Sequence, residues 1–484
     1  MHRPAPFALA LLAVSGALGA LFTGCNNPGR APSELLAAIP ADKDRPAEAA
    51  GAPPQTGFEP APTRGYILIS IDALRADHLG VYGYDRDTSP FLDELARRAT
   101  VFDHAFAQIP STLPSHMSMF TGLYPAEHGV YPPSAVLAAE IRTLPEIFLH
   151  AGFRTAGHTE GGYVQGGYGF SRGFREWTDT PYSDDTDVER TFGRGAAFLN
   201  SVQPDERFFL FLHTYTVHDP YWPPESYRRL FWPGPPPPGA GEPSGPHFAA
   251  VNNGLAEVSP EAVEYFKALY DASIRYLDDR LRQLFADLEA SGLAADTTVI
   301  LTADHGEEFL EHGSWEHQKT LYEEVVRIPL IVSGPEVTAR RETRPAGLLD
   351  IAPTILDFLK ANGPPTMQGV SLLRPLADTR EMYGETDQTL DGARLAFLRG
   401  GASSWKAILR LDPLKQRVSA SEWYDLATDP LEKMSRPPAE SLRASIEART
   451  RDAALKSRSA AAAKPVELSP EQREKLRALG YIGR

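Results

Sequence analysis

Apolar residues in this chain come in short unbroken runs rather than in strict alternation. Tyr66 to Ile71, Phe208 to Leu212 and Thr298 to Thr302 are such runs, with Leu330-Ile331-Val332 following later. Each is strand-sized and offers no polar face, the pattern of a strand covered on both sides in a parallel sheet. Helical spacing separates them. From residue 259 to 291, Val263, Phe266, Leu269, Ile274, Leu277, Leu281, Leu284 and Leu288 fall on one helical stripe. Ser259-Pro260-Glu261 supplies a helix start and Gly292 a stop. The alternation of the two patterns predicts an α/β layered sheet.

The pattern changes beyond about residue 381. Leu395 to Arg399, Trp405 to Leu409 and Glu422 to Leu426 are short strand-like pieces separated by turns, which predict a small antiparallel sheet. The expected organisation is a main domain over 64–380, a C-terminal sheet subdomain over 381–435, and an Ala-rich segment with a terminal helix over 436–484. Ser469, Pro470, Gln472 and Gly480 read as the cap, first turn, capping-box partner and stop of that last helix. The Pro-rich stretch from Pro233 to Pro246 suits neither a helix nor a central strand. It predicts a long surface insertion, either a rim over a site or a passive loop.

The first residues bear on compartment. His2 and Arg3 precede an apolar, Ala/Leu-rich run from Phe7 to Phe22, which ends at Thr23-Gly24-Cys25. The run is short for a membrane span and reads as a signal peptide over 1–25. Its small residues ahead of the only cysteine resemble a bacterial lipoprotein cleavage site, so Cys25 is the expected lipidation site. A plain signal peptide with an incidental cysteine is the alternative. Residues 26–63, rich in Ala, Pro and Gly without periodicity, predict a flexible tether. The expectation is an exported, membrane-anchored lipoprotein, periplasm-facing or on the outer membrane. The formal net charge of −15 disfavours nucleic acid as a partner and leaves the lipid anchor as the sole membrane contact. The expected partner is an anionic ester of the cell envelope or environment.

Candidate chemistry clusters where the apolar runs end. The first is followed by Asp72, the second by His213 and His218-Asp219, the third by Asp304-His305-Gly306-Glu307-Glu308. Ligands of open α/β sheets bind beyond the carboxyl ends of the strands, so three such ends point into one crevice. Any single Asp after a strand is as well explained by helix capping. Between the first two runs lies Pro110-Ser111-Thr112-Leu113-Pro114-Ser115-His116, leading to Thr121-Gly122. It predicts a short helix whose N-terminus favours an anion and carries Ser111, Thr112 and Ser115 as candidate hydroxyls. Capping is the commoner role for any one of them.

These segments resemble the sulfatase family of the alkaline-phosphatase superfamily. The resemblance rests on Ile69 to Gly80, Thr112 to Pro125, Thr302 to Gly313, Leu321 to Leu330, Asp350 to Thr354 and Tyr424 to Pro430, and covers about residues 65 to 433. It implies a large mixed, mostly parallel sheet flanked by helices, with a small C-terminal antiparallel-sheet subdomain. It also implies a site in which Asp72, Thr112, Asp304 and His305 hold one divalent metal and Thr112 is the nucleophile. His218 and His317 then handle the transferring group or leaving oxygen. Arg75, Asp77, Ser115, His116 and His213 are expected behind them, Arg75 and Asp77 orienting Asp72.

The departures from the family pattern steer the expected chemistry. Thr112 stands where the family carries a Cys or Ser that becomes formylglycine, an aldehyde that Thr cannot give. Asp72-Ala73 lacks the second acid of the usual pair, and His305 replaces an Asn. One imidazole and fewer carboxylates suit zinc or manganese better than calcium. The leading expectation is a metal-dependent phosphodiesterase or phosphotransferase working through Thr112. A sulfuric-ester hydrolase of arylsulfatase type is the alternative. A metal-bound binding protein without catalysis is the third.

Overall fold

In the computed structural model, residues 63–470 are described except 133–134, 180–187, 378–379, 387–393, 401–403, 413–416, 457–463 and 466–468; beyond them, residues 473 and 476 are described. The expected signal peptide, Cys25, nearly all of the expected tether and most of the expected terminal helix lie outside the described residues. No helix among the described residues is long and apolar enough to cross a membrane.

Among the described residues, the main sheet has eight strands. In chain order they are β1 (Gly65–Ile71), β2 (Thr100–Phe102), β3 (Arg154–Thr159), β4 (Glu176–Asp179), β5 (Phe208–Thr214), β6 (Thr297–Ala303), β7 (Leu330–Ser333) and β8 (Arg340–Glu342). They lie side by side in the order β8-β2-β7-β6-β1-β5-β3-β4. The run β6-β1-β5-β3-β4 is parallel throughout, and β7 enters antiparallel to both β6 and β2. The three central strands β1, β5 and β6 are buried at every position, which is why their sequences show no alternation. Each buried Leu, Ile or Phe in them contributes roughly 1.5–3 kcal/mol of transfer free energy. Aromatic packing continues the core outward: Phe148 stacks on Phe209 of β5 at 4.4 Å.

Helices flank the sheet. The 31-residue helix α1 (Pro260–Ala290) starts where the sequence predicts, with the Ser259 hydroxyl accepting from the Ala262 amide. It packs against the helices Pro90–Ala96, Val188–Ser201 and Glu225–Phe231. A second group forms around Thr112–Thr121, which packs on Ile351–Phe358 and Leu144–His150. Near the C-terminus, Glu381–Glu385, Arg394–Gly400, Trp405–Asp412 and Arg417–Asp425 make a four-stranded antiparallel meander. The 17-residue helix Glu440–Lys456 follows it within the Ala-rich segment, where the sequence reading named no element. The Pro-rich insertion ends in a helix of its own, Gly245–Asn252.

Candidate active site

The parallel strands β6, β1 and β5 run side by side in register, Ile69 opposite Leu301 and Leu212. Their carboxyl ends therefore deliver Asp304, Asp72 and His213 to one edge of the sheet. The helix Thr112–Thr121 begins at the same place, with Ser111 as its N-cap and Gly122 closing it at φ 67°. One ligand atom each from Asp72, Asp304 and His305 lie within 4.8 Å of one another, all fully buried. His305 Nε2 stands 3.4 Å from Asp304 Oδ2, 3.8 Å from Asp72 Oδ1 and 3.2 Å from the Thr112 hydroxyl. Its Nδ1–H donates to the Gly306 carbonyl at 2.9 Å, so the lone pair of Nε2 faces the cluster.

The backbone is shaped around these groups. Ala73 adopts φ 56°, a left-handed conformation that costs a non-glycine residue about 1–2 kcal/mol. The turn aims its amide at Asp304 Oδ1 at 3.2 Å, which also receives the His305 amide at 2.9 Å. Gly306 is required by space: a Cβ there would sit 2.0 Å from the Glu324 carbonyl oxygen.

Electrostatically, the cluster asks for a cation. Neither oxygen of Asp72 nor Oδ2 of Asp304 receives a hydrogen bond of normal geometry from the described residues. Burial, and then the facing Asp304, push the Asp72 carboxyl well above the usual carboxylate range. Two desolvated carboxylates side by side are costly unless a positive charge sits between them. Burial moves the imidazoles the other way: His305 drops to about 3 and His116 to about 4, so both are neutral ligands or acceptors near pH 7. These donors fit a divalent cation held by two carboxylate oxygens, one imidazole and the Thr112 hydroxyl.

A ring of histidines surrounds this centre. His213 Nε2 lies 3.5 Å from Asp72 Oδ2, and His218 Nε2 lies 4.0 Å from Asp72 Oδ1. The Nδ1–H of His218 donates to the Asp219 carbonyl at 2.7 Å, which turns Nε2 inward. The His317 ring stacks on His305 at 4.1 Å and edges His218 at 5.2 Å, with its Nδ1 3.2 Å from Glu307 Oε1. His116 sits behind the centre: its Nδ1–H donates to the Thr112 carbonyl, its Nε2 pairs with the Ser70 hydroxyl, and Asp304 lies 3.6 Å away.

Arg75, Asp77 and Ser115 make contacts of their own. Arg75 and Asp77 pair with each other and do not orient Asp72. After the left-handed turn at Ala73, the guanidinium leaves the centre to bind Glu311 and the Glu307 carbonyl. Ser115 donates to the Ile109 carbonyl and so tethers the approach to its own helix. Conversely, the sequence reading gave no role to Glu307, Tyr221 or Ser70. Glu307 is fully buried and pushed up to about 7 by desolvation, while accepting the Tyr221 hydroxyl at 3.0 Å. An acid two residues after a metal-type pair was the available signal.

Against known proteins, the family model described as Sulfatase matches residues 64–361. An arylsulfatase of Clostridium perfringens (strain 13 / Type A) is 24% identical over 370 residues, 63% of this chain and 77% of that protein. A choline-sulfatase of Rhizobium meliloti (strain 1021) is 25% identical over 431 residues, 76% of this chain and 81% of that one. The fold is similar to that of a phosphonate monoester hydrolase of Agrobacterium radiobacter, with a TM-score of 0.62 at 20% identity over 82% of this chain and 95% of that one.

Proposed function

The chain belongs to the sulfatase family of hydrolases, and from that premise we propose that it hydrolyses a singly charged sulfuric ester through Thr112. The observation that carries the reading is the buried convergence of Asp72, Thr112, Asp304 and His305 at one strand edge. The sulfuric ester takes precedence over the phosphodiester favoured from sequence, because the curated relatives matched include an arylsulfatase and a choline-sulfatase.

Asp72, Asp304, His305 and the Thr112 hydroxyl would hold one divalent cation, which when bound lowers the pKa of that hydroxyl and polarises an ester oxygen. Thr112 Oγ1, giving up its proton to a neighbouring imidazole Nε2, attacks sulfur; the bond from sulfur to the leaving oxygen breaks, and that oxygen takes up the proton and departs as the alcohol. Water attacks the Thr112 sulfate in a second displacement and releases inorganic sulfate. This double displacement replaces the aldehyde chemistry that Thr cannot perform. His218 and His317, each with Nδ1 tied back, present Nε2 to the leaving oxygen and the incoming water. The N-terminal amides of the helix Thr112–Thr121 add positive potential for the bound anion. Asp72 and Asp304 balance a divalent charge, and burial keeps His305, His116 and His317 neutral, so a monoanion fits better than a phosphate monoester dianion.

A second reading, a phosphonate monoester or phosphodiester, has the same charge. It is favoured by Thr112 itself, since a hydroxyl nucleophile serves phosphorus as readily, and by the fold shared with the phosphonate monoester hydrolase. The substrate would belong to the cell envelope or its surroundings, met by an exported enzyme anchored through Cys25.

The test is turnover of an aryl sulfate, an aryl phosphonate and an aryl phosphodiester by wild type and Thr112→Ala, with metal analysis of both. Thr112-dependent sulfate release supports the proposal. Turnover confined to the phosphorus esters supports the second reading. A metal-loaded protein with no Thr112-dependent turnover of any ester overturns both and leaves a binding protein.

A further inference from the structure

We infer that Asn252, in the segment 221–252 between β5 and α1, is a positioning residue for His317, and that this segment braces the reaction site from both of its ends. The inference rests on the proposed role of His317 at the transferring group.

His317 leaves a very short hairpin. Glu308–Phe309 pairs with Trp315–Glu316 over only two residue pairs, and His317 is the next residue. Its neighbours on either side are left-handed without being glycine: Glu316 has φ 69° and Gln318 has φ 74°. Each such residue costs about 1–2 kcal/mol. A two-pair ladder cannot hold that conformation unaided, so the surroundings must impose it.

Asn252 is well placed to do so. It is the last residue of the helix Gly245–Asn252. Its side-chain amide grips both backbone groups of Trp315: the Trp315 amide donates to Oδ1 at 2.7 Å, and Nδ2 donates to the Trp315 carbonyl at 3.0 Å. The side chain thus pairs with the outer edge of the hairpin as a neighbouring strand would. One turn earlier, Phe248 stacks on the Trp315 indole at 4.6 Å and 11°, and Trp315 is fully buried. One residue, Glu316, separates this clamp from His317.

The other end of this segment acts on the same histidine by a second route. Tyr221 donates its hydroxyl to Glu307 Oε2 at 3.0 Å, and Glu307 Oε1 is the partner of His317 Nδ1. Tyr221 is itself tied to the Pro-rich stretch, its amide donating to the Pro243 carbonyl at 3.1 Å. One end therefore sets the backbone on which His317 sits, and the other sets the carboxylate that orients its ring. Displacement of a reacting group by about 1 Å costs on the order of 100-fold in rate, which gives such a brace a reason to exist.

The experiment is a double-mutant cycle on the full chain, using whichever aryl ester the wild type turns over. Asn252→Ala should lower kcat about 10- to 100-fold with KM changed by less than about twofold. In a His317→Ala background the same substitution should add less than about threefold, because the two residues act as one unit. Equal losses in both backgrounds, or an unchanged kcat, would overturn the inference. Should Asn252→Ala fail to fold, Asn252→Ser, which keeps an oxygen for the Trp315 amide, carries the cycle with a smaller loss. Hydrogen exchange gives a readout independent of turnover. The amides of residues 315–319 should exchange faster in the variant while β6 is unchanged, and unchanged protection at 315–319 would sink the inference. A wild type without ester turnover would count against the proposed function alone, and hydrogen exchange would then decide the role of Asn252.

Discussion

The Nε2 atom of His305 faces the Thr112 hydroxyl oxygen at 3.2 Å across 193 residues of sequence. The Nδ1–H bond to Gly306 fixes the tautomer, so a lone pair rather than a proton meets the hydroxyl. That arrangement can accept the Thr112 proton or share a cation with it, and both uses make the hydroxyl a better nucleophile.

Replacing Thr112 by Ala should remove at least about 1,000-fold of kcat with the ester that the wild type prefers. Thr112→Ser keeps the oxygen and should retain within about 10- to 30-fold of wild-type turnover. Steady-state assays of the two variants side by side decide it; equal losses in both would remove Thr112 from the chemistry.

Metal removal should destabilise the fold. At a free-ion concentration about 100 times its Kd, a bound cation adds about 2.7 kcal/mol, so chelation should lower the melting temperature by several degrees. In metal-free protein, Asp72→Asn should be no less stable than wild type, since it removes one of two buried facing carboxylates. Calorimetry with and without chelator checks both statements.

Asp278 on α1 accepts the Phe91 and Leu92 amides at 2.7 and 2.9 Å, and so caps the helix Pro90–Ala96 from a distance. Burial raises its carboxyl to about 7 from 3.8. Between those values the folded chain keeps a proton that the unfolded chain releases. Stability from this group is therefore complete below about pH 4 and declines, by up to about 1.4 kcal/mol per pH unit, toward pH 7. Asp278→Asn should flatten that slope. Urea unfolding of both proteins at pH 5 and pH 8 should show the variant gaining on wild type at the higher pH.

Gly306→Ala should cost about 1–3 kcal/mol by overpacking, and should reduce metal content as well. The added methyl has only backbone to meet, the Glu324 carbonyl at 2.0 Å, and His305 is the neighbouring residue. Unfolding curves and metal analysis measure the two effects separately.

The sheet was readable because β1, β5 and β6 are buried on both faces and so spell unbroken apolar runs. The residues at their ends were readable because strand ends converge. Contacts made across the fold were not. Arg75 is three residues from Asp72 and invited a role beside it, yet a single left-handed residue between them sends its side chain to Glu311. Glu307, Tyr221 and Asn252 act through histidines or backbone that the chain brings near only on folding, and no local pattern marks such partners. The helix Glu440–Lys456 escaped because its apolar residues share no single face. The Pro-rich stretch from Pro233 to Pro246 reads from sequence as either rim or passive loop, and its Pro243 carbonyl accepts the amide of Tyr221, the residue that donates to Glu307.

The proposed cation ligands Asp72 and Asp304 directly follow β1 and β6, strands adjacent in the sheet but far apart along the chain. No growing polypeptide that stops before β6 can contain the centre. Pairings of such long sequence separation form late and slowly. Metal uptake during refolding should thus report completion of the central sheet, arriving after helical structure has formed.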